Sequence, residues 1–265
     1  MIVLKQGDLI MNNNRFKQKY GPWAIVTGAS AGIGAEFARQ IAAKGLNVVL
    51  VARRASKLEQ LAQQLENKYG VKTRVVPLDL TQPDFLDILR RATQDIVVGL
   101  LVNNAGAANL GEFLDTSIDE ELKILDLNVR APMALSHAYG NDFRNMGRGG
   151  VIILSSLVGF VGVSGFTNYA ATKAYDLLFA EGLAKELTPF GVDVIGVAPG
   201  FTESEYMSSI DLSGVPVPLP LMKSSTLVAG ALNKLGRRNP VVITGLMNHM
   251  MNFSFKLLGR RGSTA

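Results

Sequence analysis

The sequence predicts an α/β fold: a Rossmann-type, doubly wound parallel sheet of about seven strands with helices on both faces, built as a single domain. Three observations point there. Short apolar, β-branched runs alternate with longer helical patterns, and a glycine-rich turn joins the first run to the first helical stretch. The chain of 265 residues, 48% hydrophobic and 18% charged, is long enough for one sizeable core and too apolar to be disordered.

In chain order, the strand candidates are Trp23 to Thr27, Asn47 to Val51, Arg74 to Pro77, Gly99 to Val102, Val151 to Leu154, Val192 to Val197 and Val241 to Thr244. Runs without polar alternation are what strands covered on both faces require. The first is followed by a helical pattern over Ala35 to Lys44. Ser56 with Glu59 reads as a capping box opening the Leu58, Leu61, Leu65 stripe, and Ser117 with Glu120 opens a second helix in the same way. Gly45 and Gly70 stand where helix C-caps would end two segments. Residues 1–20 read as an N-terminal extension of a domain spanning 21–265. Within that domain, residues 205–223 break the rhythm: Gly214, Pro216, Pro218 and Pro220 predict an irregular lid.

Composition excludes several functions. Lys and Arg number 27 against 22 acidic residues, a net charge of +5, but no basic run interleaved with aromatics appears, which disfavours nucleic acid as a partner. There is no cysteine, so disulfides and thiolate chemistry are excluded; His137 and His249 lie far apart, and no metal site is expected. The opening residues are broken by Lys5 and Asp8 and read poorly as a signal peptide. No apolar run of about eighteen residues suggests a spanning helix, so a cytoplasmic protein is the expectation.

The chemistry is concentrated around Tyr169 and Lys173, four residues apart, with Ser156 thirteen residues upstream of the tyrosine at the end of an apolar run. A phenol acts as general acid or base near neutral pH only if its pKa of about 10 is lowered, and an ammonium one helical turn away favours the phenolate. Alone, such a pair usually means no more than a solvated helix face. Here it is accompanied by Thr27-Gly-Ala-Ser-Ala-Gly-Ile-Gly34 at the first strand-to-helix junction, where glycines allow close approach and a helix N-terminus offers amides to a pyrophosphate. After the second strand, Ala52 offers no carboxylate for a ribose hydroxyl, whereas Arg53, with Arg54 beside it, offers a fork for a 2′-phosphate; NADP is favoured over NAD. Asp79 either accepts from an adenine amino group or caps the turn toward Thr81. Of the two adjacent serines, Ser155 is expected to point into the fold, since neighbouring strand positions face opposite sides.

These motifs resemble those of the classical short-chain dehydrogenases/reductases: the glycine turn, Asn103-Asn-Ala-Gly106, Asn128, Ser156, Tyr169-x-x-x-Lys173 and Pro199-Gly200, in order over residues 23 to 204. The resemblance implies hydride transfer between a nicotinamide cofactor and a carbonyl or alcohol. It gives Tyr169 the role of proton donor, Ser156 that of hydrogen-bonding the substrate oxygen, Lys173 that of holding the nicotinamide ribose, and Asn128 that of supporting a proton relay. It implies a cofactor-binding set of Gly28, Ser30, Ala31, Gly32, Ile33, Gly34, Arg53, Arg54, Asp79, Leu80, Asn104, Ala105, Gly106, Tyr169, Lys173, Pro199, Gly200 and Thr202.

Two departures stand out. Ala31 occupies a place where many NADP-using members carry a basic residue, which leaves 2′-phosphate recognition to Arg53 and Arg54 and keeps NAD open as a second cofactor. The segment 245–265 is Met-rich and apolar and ends near Arg260-Arg261; it reads as core or subunit contact, with a membrane surface as the alternative. Gly45 to Arg53 is similar to the matching stretch of 17β-hydroxysteroid and 3-ketoacyl reductases, which implies an apolar small-molecule substrate. Family habit implies a homodimer or homotetramer packed through long helices, with Phe179, Leu183 and Leu187 placed for that or for plain core. The alternative of another class is a non-catalytic NADP(H)-binding sensor or scaffold.

Overall fold

The computed structural model describes residues 6–203, 221–245 and 247–250, with side chains from residue 13 onward. Its strands are β1 (Trp23–Thr27), β2 (Asn47–Ala52), β3 (Thr73–Pro77), β4 (Val98–Asn103), β5 (Gly149–Leu154), β6 (Val192–Ala198) and β7 (Val241–Ile243). They form one sheet in the order β3-β2-β1-β4-β5-β6-β7, parallel throughout. Every residue of β1, β4 and β5 is buried, which is why these runs carry no polar alternation. The order reverses at β1, whose neighbours are β2 and β4. In such a sheet the crevice beyond the carboxyl ends at that reversal is where a ligand sits.

Helices cover both faces. Neighbouring residues of a strand point to opposite sides, so Val48 and Leu50 enter one core while Val49 and Val51 enter the other. The first core takes Phe37 and Ile41 from α2 (Gly32–Ala43), Leu58 and Leu65 from α3 (Ala55–Tyr69), and Leu227 from a later helix, Ser224–Lys234. The second takes Phe85 and Leu89 from α4 (Phe85–Thr93), Tyr139 and Phe143 from α6 (Ala131–Met146), and Ala180 and Leu187 from α7 (Thr167–Leu187). Between α4 and α6 in sequence lies α5 (Ile118–Leu125); the helix at 224–234 is α8. A fully buried leucine such as Leu50 contributes about 2 kcal/mol by transfer from water alone.

Neither expected capping box forms. Ser56 lies inside α3, which starts at Ala55, and the Arg54 carbonyl accepts the Leu58 amide. The two-residue connection from β2 leaves the helix start to the docking of the Leu58, Leu61 and Leu65 stripe. Ser117 does precede α5, but only its carbonyl is engaged, by the Glu120 and Glu121 amides. Gly70 is the left-handed C-cap of α3, and Gly45, just past α2, also has positive φ.

The N-terminal extension contains α1 (Gln6–Tyr20), whose Phe16 and Tyr20 are buried in the first core. The Tyr20 hydroxyl donates to Asp193 at 2.6 Å, Lys19 pairs with the same carboxylate, and burial together with Asp193 pushes the Tyr20 phenol far above its ordinary pKa. The expected lid falls mostly on residues 204–220, outside the described residues, but its flanks are joined: Thr202 bridges Met222, with Glu203 N–H donating to Met222 O at 2.9 Å. Of the C-terminal segment, 247–250 is helical, while 246 and 251–265 lie outside the described residues. Among the described residues no helix is long and apolar enough to cross a membrane.

Candidate active site

At the carboxyl ends of β1 and β4 the glycine turn is braced from behind. Asn104 donates through Nδ2 to Thr27 O at 2.9 Å, while Thr27 Oγ1 accepts the amides of Asn104 and Ala105 at 2.9 and 3.0 Å. Gly28 has φ +65°, and a Cβ at Gly34 would lie 2.3 Å from Gly28 O and 2.5 Å from Asn104 Nδ2. The turn is therefore built for backbone alone, with the α2 N-terminus open at Gly32. Helix α2 starts three residues before the expected Ala35 because the Ala31 carbonyl already accepts the Ala35 amide. Gly34→Ala is expected to destabilise the fold by about 1–3 kcal/mol and to weaken dinucleotide binding, read by thermal unfolding and NADPH fluorescence titration.

A cleft of about 860 Å³ runs from this turn across the sheet edge. All the residues assigned from sequence to cofactor binding line it, as do Ser156, Tyr169 and Lys173. A smaller cavity of about 420 Å³ between α4 and α6 contains none of them. At the end of the cleft beside the glycine turn Arg53 and Arg54 are exposed, and Arg54 donates to Ser30 Oγ through Nε at 3.1 Å and Nη2 at 2.9 Å. Asp79 Oδ1 accepts from the Thr81 amide and hydroxyl at 3.0 and 2.8 Å, so it does cap its turn while also facing the cleft. Burial pushes its carboxyl up, but those two bonds and the nearby Arg53 charge outweigh burial and hold it below the usual range.

At the other end, Ser156 lies two residues past β5 and starts a short turn at Leu157–Phe160, its Oγ accepting the Val158 amide at 3.4 Å. Ser155 points inward as expected, donating to Lys173 O at 2.6 Å. Tyr169 is half-buried on the first turns of α7, its ring 5.9 Å from Phe166. Lys173 Nζ, one turn on, lies 5.9 Å from the Tyr169 ring centroid. It donates to Leu154 O at 2.7 Å and to Asp176 Oδ2 at 2.9 Å. Burial works against the Lys173 charge, but Asp176 and Tyr169 prevail and raise its pKa above the ordinary value. Asn128 lies behind the cleft wall in a widened helical turn, Asp126–Arg130. It accepts from Ala107 N at 2.9 Å and donates to Ala107 O at 2.8 Å and Thr172 Oγ1 at 3.0 Å.

Three contributors were not anticipated from sequence. Asp176 is bonded to Lys173, an i,i+3 spacing that by itself would suggest an exposed pair. Glu121 accepts from Asn168 Nδ2 at 2.6 Å, tying α5 to the residue before Tyr169. Asn248 packs on Gly200 so closely that a Cβ there would lie 2.2 Å from its Oδ1, a contact between segments too distant in sequence to pattern together. Of the apolar residues that follow Ser156 and those in the expected lid, Val161, Val163 and Phe166 line the cleft, whereas Phe160 packs toward Leu157, Leu177 and Ala198. Tyr206, Met207 and Ile210 lie outside the described residues.

A family model described as short chain dehydrogenase matches residues 22–213. The chain belongs to the short-chain dehydrogenase family. Its members move a hydride between a nicotinamide cofactor, NAD or NADP, and a carbonyl or alcohol, so this chain is an oxidoreductase. It is similar to a 7beta-hydroxysteroid dehydrogenase of Collinsella aerofaciens, 34% identical over 230 residues, covering 85% of this chain and 87% of the relative. It is similar also to a very-long-chain 3-oxoacyl-CoA reductase of Meyerozyma guilliermondii, 34% identical over 240 residues, 86% of this chain and 69% of that one. Among solved structures, a short-chain dehydrogenase from Sphingobium yanoikuyae in complex with NADPH superimposes with a TM-score of 0.79 at 34% identity, covering 90% of this chain and 95% of the other. The donor set of the short-chain dehydrogenase cleft suits a dinucleotide: bare glycine backbone at a helix N-terminus, guanidinium groups at one end and a buried ammonium at the other.

Proposed function

We propose that this chain is an NADP(H)-preferring reductase of ketones, or oxidant of the matching secondary alcohols, on an apolar substrate, with Tyr169 as general acid and base. The reading rests on the convergence of Tyr169, Ser156 and the buried Lys173 ammonium at one end of a cleft whose other end carries Arg53 and Arg54. The cofactor supplies the hydride. Tyr169 gives its proton to the carbonyl oxygen, and Ser156 holds that oxygen by a hydrogen bond. Lys173 stabilises the phenolate left behind and holds the nicotinamide ribose. Asn128, clamped to Ala107 and Thr172, keeps the wall behind Lys173 in place and supports reprotonation.

Val161, Val163 and Phe166 along the cleft support an apolar substrate, a class in keeping with relatives named for hydroxysteroids and long-chain 3-oxoacyl groups. Residues 205–223 are assigned the role of lid over it, within one catalytic domain at 21–265. Exposed Leu114, Ile118, Leu122 and Leu178, on and around α5 and α7, support a homodimer or homotetramer. A panel of bulky ketones, steroids, acyl thioesters and small polar carbonyls, scored by NADPH absorbance, tests the reading. Consumption with bulky apolar ketones is expected. NADPH binding with no turnover across the panel would favour the sensor or scaffold instead.

The 2′-phosphate assignment has its own test. Arg53→Ala removes an exposed guanidinium from the adenosine end and is expected to weaken NADPH binding about tenfold while leaving NADH binding near its starting value. Equal losses for the two cofactors would defeat the assignment.

A further inference from the structure

Asp176 has no part in the roles above, yet its carboxylate is bound to the ammonium on which they depend. The two residues lie three apart on α7, and Lys173 Nζ is held in a fork between Asp176 Oδ2 at 2.9 Å and Leu154 O at 2.7 Å. Their side chains are 6% and 2% exposed, and Asp176 Oδ1 is buried with no hydrogen-bond partner among the described residues. An ammonium so placed is expensive to keep charged unless a counter-ion compensates. Around the pair, β5 and β6 and the turns beside them offer neutral groups: the Leu154 carbonyl, the Ser155 hydroxyl, Gly159 and Gly196. The charged side chains of the other elements packed on α7 are engaged elsewhere, Glu121 of α5 with Asn168, and Asp126 with Arg130. The remaining titratable neighbours are on α7 itself: Tyr169, which acts on Lys173, and Tyr175, which feels Asp176. Asp176 is the one carboxylate acting on Lys173 among the described residues.

We infer that Asp176 is a positioning residue that keeps the Lys173 amine protonated and fixed beside Tyr169, so that proton transfer at the cleft depends on a carboxylate lying behind it. The inference rests on the reading of Tyr169 as proton donor. Without Asp176, burial meets only the Tyr169 charge and the Leu154 carbonyl, Lys173 gives up its proton more readily, and Tyr169 loses the cation that favours its phenolate. This is a counter-ion acting through another residue, and a merely structural role would leave the titration of the phenol unmoved.

Two measurements read it. The near-ultraviolet phenolate band, taken as the difference between each protein and its Tyr169→Phe counterpart, reports the ionisation of that one phenol without turnover. The pH profile of kcat for NADPH-dependent ketone reduction reports the same group in use. In Asp176→Asn both are expected to move to higher pH by about one unit or more, the direction also expected of Lys173→Met. The Asp176→Asn/Lys173→Met double variant should move no further than Lys173→Met alone. A titration that stays put overturns the inference, as does one that moves to lower pH, since that would mean the ammonium stays charged without its partner. A double variant that moves further than Lys173→Met overturns it as well, because the effect would then bypass Lys173. Thermal unfolding checks that the variants fold, and Asp176→Ser carries the same expectation should the asparagine variant fail to do so. A wild-type protein that reduces no ketone would sink the proposed function, while the absorbance titration would still decide the role of Asp176.

Discussion

Replacing Tyr169 by phenylalanine is expected to lower NADPH-dependent ketone reduction by about a hundred- to ten-thousand-fold, the range that a positioned general acid contributes, while leaving NADPH affinity near that of the parent protein. The substitution removes one oxygen and keeps the ring, so the contact with Phe166 at 5.9 Å survives. The backbone carbonyl of residue 169, which accepts the Thr172 hydroxyl at 2.7 Å, is also untouched. Loss of rate with an unchanged unfolding curve would therefore report chemistry and not packing. Steady-state kinetics beside a fluorescence titration of NADPH separate the two, and turnover close to the parent value would remove Tyr169 from the mechanism.

Lys173→Met is expected to act on three quantities together. Removing the ammonium leaves Asp176 buried and unpaired at 2% side-chain exposure, and breaking such a pair costs about 3–5 kcal/mol. In the proposed role Lys173 holds the nicotinamide ribose, so NADPH binding is expected to weaken. The third effect is on pH dependence, and its sign follows from the charge. Reduction needs the phenol protonated, and a neighbouring cation favours the deprotonated form; without the cation the phenol keeps its proton to higher pH, and the limb on which reduction falls off moves upward. Alcohol oxidation, which needs the phenolate, should rise only at correspondingly higher pH. A kcat profile that does not move after this substitution would show that Lys173 exerts no electrostatic control over Tyr169.

Much of the fold was legible because its strands are covered on both faces. Val48 to Val51 and Val151 to Ile153 are apolar without interruption for that reason, and both runs lie within strands of the sheet. The contrast between Ser155 and Ser156 was legible in their hydroxyls: both residues line the cleft, but a period of two turns the Ser155 hydroxyl inward to Lys173 O. The capping boxes misled because Ser56 with Glu59 is a local pattern, whereas the start of α3 is set by where Leu58, Leu61 and Leu65 meet the sheet. Substrate identity was the least legible feature: it depends on which side chains face a cleft assembled from segments far apart, and Phe160 beside Val161 illustrates how neighbours divide between core and cleft.

By itself the sequence determined the strand runs, the glycine turn at Gly28 to Gly34 and the spacing of Ser156, Tyr169 and Lys173, because these depend on local periodicity and on backbone freedom that only particular residues allow. Only the tertiary structure decided what surrounds Lys173. An aspartate three residues along a helix reads as a solvent-exposed pair, and it becomes a buried counter-ion only when β5, β6 and the Leu157–Phe160 turn close over α7 and take the water away. The strength of a charge depends on the medium around it, and that medium is made by residues distant in sequence.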